Sequence, residues 1–491
     1  MESEKPTPDN SILLYDSLSR QLQPLAPSDG KTFRMYCCGP TVYGPVHIGN
    51  FRTFVLQDVL CRTLEVSGLN VHHVRNITDV DDKTIRQSQR EKQSLKKFTQ
   101  KWTERFHRDC QDLNILTPYA EPRATDHIEH QIRLIQQLID KDHAYSTPEG
   151  SVYFCVKSFS HYGRLSHLNH RELQTQKTNS AGERRDNDEY ERDSIADFAL
   201  WKACKPEDGE NYWPSPWGPG RPGWHIECSA MALHYLGDTF DLHGGGVDLC
   251  FPHHENEIAQ SECATGQQPF SRYWFHTAHL LVEGQKMSKS LGNLYTLDDL
   301  QAKGFPPASL RYALITGHYR QSLNFTISGL KAAQSARTRL DRLTTALMEH
   351  VYESNWTKDT FYELQHSPFD QNWGNFAPAW SALKNDLNTP ECLGNLFSVF
   401  NQFKMTPEIF SETDLLAFAR LTYALGIDPF IEPDQDNRAK DIPADIRQLA
   451  EERWQARQSK DWTLADSLRD AIQAKGWKVI DNKDGYDLEL L

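Results

Sequence analysis

The sequence lacks the features that would place it in a bilayer or outside the cell. No apolar run approaches the roughly 20 residues that a membrane-spanning helix needs. The opening MESEKPTPDNS has no apolar core of a secretory signal and little likeness to a basic transit peptide. Ten cysteines in 491 residues are too sparse for a secreted disulfide scaffold and follow no even spacing. They imply a reducing compartment with free or metal-bound thiols, and the expectation is a cytoplasmic protein with no membrane partner. Positive charge is also short. Against 67 Asp and Glu stand 53 Lys and Arg, a net of −14. That excludes a nucleic-acid binder held by bulk charge and leaves only a local basic face.

Three catalytic signatures are missing as well. In FPHHENEIAQ (251–260), His254-Glu255 begins a metalloprotease-like run, but Ile258 stands where the second histidine belongs. GKT (30–32) copies the end of a P-loop, yet Leu25 occupies the position of its upstream glycine. HGGG (243–246) looks like an esterase oxyanion loop without any G-x-S-x-G elbow to serve. What survives in 251–260 is His253 and Glu257 at i,i+4 spacing on one helical face; His254 is also within i,i+3 reach of Glu257. Two ligands do not make a metal site, so other segments must supply the rest.

A chain of this length splits into two to four domains. KTFRMYCC (31–38) alternates like a strand, and GPTVYGP (39–45) breaks it. Phe51, Phe54, Val55, Val59 and Leu60 then recur at helical spacing until Gly68, and VHHVRNIT (71–78) is strand-like again. The pattern returns at HIECSAMALHYLG (225–237, helix), TFDLH (239–243, strand), 252–264 (helix) and RYWFHTAHLLV (272–282, strand). Helical patterns at 96–112 and 126–141, and a polar patch at 174–193 suited only to a surface loop, separate the two halves. The reading is an α/β nucleotide-binding fold with a parallel sheet, split by an insertion. Past Ser328, Leu330, Ala333, Leu340, Leu343 and Leu347 share one helix face; 432–445 reads as a linker before two helices and a hairpin.

Two segments suit phosphates. PVHIGN (45–50) lies where a loop becomes a helix, and unpaired N–H groups at a helix start favour polyphosphate. Gly49 leaves the backbone open there. KMSKSLGN (286–293) is a loop with lysines at i and i+3, closed by Gly292, suited to gripping pyrophosphate. In VDDK, Asp79, Asp81 and Asp82 suggest loop capping rather than a Mg²⁺ site.

HIGN and KMSKS in the two halves of a split nucleotide-binding fold resemble the HIGH and KMSKS signatures of class I aminoacyl-tRNA synthetases. YCCGPTVYGPVHIGN, VRNITDVDDK, WPSPWGPGRPGWHIECSAM, DLHGGGVDLCFPHHENEIAQ and the ARQSKDWTLADSLRD tail are similar to cysteinyl-tRNA synthetases in particular. The resemblance implies a Rossmann-like parallel-sheet catalytic domain, split by an insertion and followed by an α-helical, anticodon-binding C-terminal region. The implied segments are 1–115 and 223–285 for the two catalytic halves, with 116–222 the insertion. Beyond them come 286–327, the KMSKS-bearing stem-contact region, 328–430, a helical bundle, and 431–491, the anticodon-binding subdomain.

It further implies one zinc ion per subunit on Cys38, Cys228, His253 and Glu257, with Cys37 a buried core thiol. Thr78, Trp224, His243 and Asp248 would bind L-cysteine. His47, Asn50, Lys286 and Lys289 would act on Mg-ATP, with Gly49 and Lys289 contacting the nucleotide. Asn50 departs from the second histidine of HIGH: an amide can donate a hydrogen bond but carries no charge. The implied partners are tRNA(Cys), ATP and L-cysteine, and the implied state is a monomer. Lys331, Arg337, Arg339 and Arg342, with Trp454, Arg457 and Trp462, are the candidate tRNA contacts set against a plain solvated helix face and core tryptophans. A relative that joins cysteine to a sugar amine would lack a tail like 430–491.

Overall fold

The computed structural model describes residues 11–167, 184–185, 197–287, 292–427, 429–430, 444–459, 461–475, 477–481 and 486–490. They fall into two units, Met1–Phe430 and Ile431–Leu491. At the centre of the first lies a sheet of four strands: β1 (Thr32–Cys37), β2 (Asn70–Arg75), β3 (Phe240–Gly246) and β4 (Ser271–Thr277). Their order is β4-β3-β1-β2 and every pair is parallel. Helix α1 (Ile48–Val66) joins β1 to β2, α2 (Trp224–Leu236) leads into β3, and α3 (Glu255–Thr265) joins β3 to β4. Because β1 and β3 are neighbours whose following helices leave toward opposite edges, a crevice opens at their carboxyl ends. Every residue singled out at 37–50 and 243–257 sits at or beyond those ends.

Parallel sheets are covered on both faces, and this one follows suit: Phe33, Met35, Tyr36 and Cys37 are all fully buried. Helix α1 is buried nearly all round, including Arg52, Asp58 and Arg62. Its burial extends into the helical part of the unit, where Arg311 joins it. The Asp58 carboxylate bonds Arg62 Nε at 2.8 Å, Arg311 Nη2 at 2.5 Å and the Leu116 N–H at 2.8 Å. Arg311 in turn donates to the carbonyls of Leu113, Asn114 and Leu425. A Cβ on Gly426 (φ +62) would lie 1.8 Å from the Arg311 guanidinium, so glycine is required there twice over.

The expected insertion, 116–222, begins after helix Leu95–Asp112 has ended, and carries helix Ile128–Asp140 and an antiparallel ladder of Ala144–Ser146, Val152–Phe154, Asp197–Ala203 and Gly220–Pro222. Its apolar side shares one core with α2 and α3. The patch 174–193 lies outside the described residues except Arg184 and Arg185. The acidic run resolves as the capping reading expected for one member: Asp81 caps the helix Asp82–Arg90. Asp79 accepts from Thr125, and Asp82 pairs with Lys202 and Arg221.

One expected strand is two. The run 272–282 divides into β4 and a separate strand, Leu280–Val282, in another sheet. The break falls at Ala278 and His279, whose carbonyls both accept from Arg52; that of His279 also accepts the Leu323 N–H at 3.2 Å, which carries the chain into the other sheet. Leu280–Val282 then pairs with Gln285–Lys286 through a two-residue turn, Glu283 (φ 49) and Gly284 (φ 77), and with Leu323–Phe325. Similarly 71–78 stops pairing at Arg75, where Thr78 turns to bridge Thr41.

Helix Ile327–Tyr352 buries the expected apolar face, Leu330, Ala333, Leu340, Leu343 and Leu347. It also buries Arg337, which is therefore no part of an exposed basic stripe; Arg339 lies over the Phe397 ring and bonds Asn401. In the second unit, helices Ala444–Gln458 and Trp462–Ala474 and a hairpin close over Ile446, Ala450, Ile472 and Val479. Trp462 is 58% exposed there.

Candidate active site and metal centre

The crevice holds a cavity of about 380 Å³. Its wall includes Cys38, Cys228, His253 and Trp224, together with His47, Gly49, Asn50, Ala278, His279, Lys286 and Met287. Thr78, Asp248 and Lys83 also line it.

Each group reaches the cavity for a local reason. Cys38 is the first residue beyond β1, its N–H held by the Gly244 carbonyl at 3.1 Å. Cys228 lies on the second turn of α2, facing inward. His253 belongs to the irregular turn that precedes α3, and Glu257 to the first turn of α3 itself. The ligand atoms of Cys38, Cys228, His253 and Glu257 all lie within 4.8 Å of one another, and all four residues are buried. The two sulfurs are 4.0 Å apart, and all ten cysteines of the chain are free thiols. His253 Nε2 lies 3.0 Å from Glu257 Oε1, while its Nδ1 faces His225 Nδ1 at 2.9 Å.

A second group, Cys38, His243, His254 and Glu257, meets the same distance limit. His254 Nε2 is 3.4 Å from Cys38 Sγ, and its Nδ1 is bonded to His276. His243 Nε2 is 2.9 Å from Glu257 Oε2. These two histidines are fully buried and stand one layer behind the cavity, outside its wall. The cavity therefore reaches three members of the first group, Cys38, Cys228 and His253, and of the second only the shared Cys38. The resemblance assigns His243 to the substrate; in the structure its ring holds the far oxygen of Glu257.

The donor set suits a soft divalent cation. It offers two sulfurs, an imidazole and a carboxylate, the ligands zinc takes in tetrahedral sites. Burial pushes the Glu257 carboxyl well above its usual range, only partly opposed by His253. Burial and the neighbouring Cys228 push Cys38 up, whereas the S–H of Cys38 holds Cys228 down. Acids this deeply buried are costly to ionise without a compensating charge, and a cation at their centre supplies one. Burial also drives His243 and His276 down to about 3, so these rings are neutral.

The glycines of HGGG explain themselves here. A Cβ on Gly245 would lie 2.9 Å from His254 Cε1, and one on Gly246 would lie 2.5 Å from Asp248 Oδ1. They admit a histidine ring and a carboxylate close to the backbone, with no oxyanion role needed.

His47 is the N-cap of α1, its Nδ1 accepting from the Asn50 N–H at 3.3 Å. Burial lowers its pKa, opposed by Asp248, so the ring is neutral with Nε2–H free to donate. Gly49 has a more specific reason than open backbone: a Cβ there would lie 2.2 Å from Met287 Cε. The methionine of KMSKS rests on the glycine of HIGN. Beyond that loop, Ile48 N–H donates to the Tyr295 carbonyl at 2.9 Å and His47 pairs with Thr296. Both ends of the segment 287–295 thus lie beside the start of α1. Lys289 is outside the described residues. Sequence reasoning missed Arg52, His225 and His276; an arginine five places after His47, and histidines flanking each motif, were the available signals.

The model of the class I (C) tRNA synthetase catalytic domain matches residues 24–335. A cysteine–tRNA ligase of Opitutus terrae is 51% identical over 489 residues, covering 98% of this chain and 99% of the relative. That of Chlamydia muridarum is 44% identical, covering 97% and 99%. Among solved structures, a Mycobacterium tuberculosis methionyl-tRNA synthetase bound by methionyl-adenylate overlays with a TM-score of 0.53 at 14% identity, over 81% of this chain and 89% of that one. A leucyl enzyme of Agrobacterium radiobacter, in a ternary complex with tRNA, gives 0.57 at 13% identity, covering 82% and 84%. These last two establish the fold alone. No helix among the described residues is long and apolar enough to cross a membrane.

Proposed function

The chain belongs to the cysteine–tRNA ligases of the class I aminoacyl-tRNA synthetases, and from that premise we propose how its cavity activates cysteine and rejects serine. The observation that carries the reading is the shared cavity. Three of the four candidate ligands and the start of α1 line one and the same cavity. Cysteine and ATP would bind end to end in it.

A zinc ion held by Cys38, Cys228, His253 and Glu257 would lower the pKa of a substrate thiol and favour its sulfur over the oxygen of serine. A steric pocket alone rejects an added hydroxyl only by about a hundredfold. Trp224, whose ring centroid lies 4.3 Å from that of His253, closes over the side chain. Thr78, fixed by Asn76 Nδ2 at 3.1 Å, and Asp248 orient the amino acid's polar groups. His225 and His243 hold His253 and Glu257 in place from behind.

The cysteine carboxylate then attacks the α-phosphorus of ATP in line, forming cysteinyl-adenylate and releasing pyrophosphate. No covalent enzyme intermediate is needed, so positioning and charge stabilisation carry the rate. His47 Nε2–H and the Asn50 amide donate to phosphate oxygens, and Lys286 and Lys289 neutralise the leaving pyrophosphate. The terminal ribose 2′-hydroxyl of tRNA(Cys) next takes the cysteinyl group, and AMP leaves. The segments 328–430 and 431–491 are the proposed bundle and anticodon-binding parts, acting in the cytoplasm.

X-ray absorption at the zinc edge tests the selectivity. Saturation with cysteine is expected to add a sulfur scatterer, and serine is not; an unchanged zinc shell overturns direct ligation. For the phosphates, Lys289→Ala is expected to slow cysteine-dependent ATP–pyrophosphate exchange at least about tenfold, or 1.4 kcal/mol, with cysteine affinity unchanged. Equal losses in both would assign Lys289 a structural role.

A further inference from the structure

Arg52 places a buried guanidinium immediately behind this cavity. It is fully buried, at 0% exposure, on the second turn of α1, between the cavity-lining Asn50 and Thr53. Its Nη1 donates to the carbonyls of Ala278 (2.6 Å) and His279 (2.8 Å), and its Nη2 to those of His318 (3.0 Å) and Gln321 (2.7 Å). Among the described residues no carboxylate pairs with it. Burial lowers its pKa to about 10, which leaves it charged at neutral pH.

Two consequences follow from those four bonds. Ala278 and His279 lead directly into Leu280–Val282, and His318 and Gln321 lead into Leu323–Phe325, the strand paired with it. One side chain of α1 therefore fixes both strands that support the hairpin carrying Lys286. Ala278 and His279 also line the cavity, so the uncompensated charge lies directly behind a wall that faces the nucleotide end. A buried cation without a partner is costly, and backbone carbonyls could be served by a neutral donor. A polyanion in the cavity gives the charge a use, because desolvated charge acts over several ångströms with little screening.

We propose that Arg52 is a positioning residue of the activation step, locking the Lys286 hairpin against the start of α1 and contributing a buried positive charge that favours the ATP triphosphate. This rests on the reading that the cavity binds ATP beside His47. The two parts separate by substitution. Lysine keeps the charge but its three N–H donors cannot serve all four carbonyls; glutamine removes the charge.

The test is cysteine-dependent ATP–pyrophosphate exchange by the full chain, with equilibrium binding of ATP, adenosine and cysteine and with zinc content. In Arg52→Lys, kcat is expected to fall about tenfold, with the ratio of ATP to adenosine affinity kept within about threefold. In Arg52→Gln, that ratio is expected to fall at least about tenfold, while zinc content and cysteine affinity match the parent. Equal loss of ATP and adenosine affinity in Arg52→Gln would overturn the electrostatic part, and an unchanged kcat in Arg52→Lys the positioning part. Should Arg52→Gln fail to fold, Arg52→Met takes its place as the uncharged variant, with the same expected drop in the ATP-to-adenosine ratio, while Arg52→Lys decides the positioning part; losses of zinc or cysteine affinity alongside kcat in Arg52→Lys would make Arg52 a general scaffold residue. A parent chain without exchange activity sinks the activation reading, and that outcome is distinct from every result on the variants.

Discussion

Cys228→Ser is expected to strip the protein of zinc and to lower kcat/KM for cysteine-dependent ATP–pyrophosphate exchange at least about a thousandfold, near 4 kcal/mol. The serine oxygen is a poor zinc ligand at neutral pH, so the site loses one of only two sulfurs. Residual activity is expected to lose its preference for cysteine over serine, since shape alone separates the two poorly. Zinc content by metal analysis and exchange with cysteine, serine and alanine are the measurements. Cys37→Ser is the control. Its thiol lies one residue from Cys38 but on the opposite side of the sheet, in the core with Met35 and α1. It should retain zinc and lose only stability. Full zinc in Cys228→Ser would move the assignment to the deeper group of Cys38, His243, His254 and Glu257, which that substitution leaves intact.

The second large effect concerns stability. Asp58→Ala is expected to destabilise the first unit by about 3–5 kcal/mol, because two buried guanidiniums, Arg62 and Arg311, lose the only carboxylate that pairs with them among the described residues. Urea or thermal unfolding followed by tryptophan fluorescence measures it. Both arginines keep their carbonyl partners, so what is lost is chiefly the compensating charge. The effect has a pH signature. Burial raises the Asp58 carboxyl, but Arg62, Arg311 and the Leu116 N–H outweigh it and leave the pKa below the usual carboxylate value. A depressed folded pKa stabilises above the unfolded value, about 3.9, and this contribution disappears as pH falls through the folded one. The stability gap between parent and Asp58→Asn should therefore be level from pH 6 to 8 and narrow below about pH 4. A gap that widens on acidification would refute the assignment.

The same residues measure how far sequence reasoning reaches. The period-2 and period-3.6 patterns located β1, α1, β2, α2, β3 and α3, because apolar spacing is dictated by which faces must be buried. The motifs at 37–50, 224–228, 243–257 and 286–293 carried the family, since their residue types are set by chemistry rather than by packing. Where patterns failed, a long-range contact had intervened. The run 272–282 reads as one strand because its apolar alternation continues unbroken; Arg52, some 226 positions away, takes the two carbonyls that end it. Arg337 looked like one of four exposed cations, and the packing of its helix buries it.

The sequence by itself determined the fold class and the family, for these rest on local pattern and motif chemistry, and the resemblance its motifs carry supplied the candidate ligands. Only the tertiary structure decided which histidine faces the cavity, what Gly49 makes room for, and which arginine sits behind the cavity wall. Those are distances between segments far apart in the chain, set by how helices close over a sheet, and no local spacing contains them.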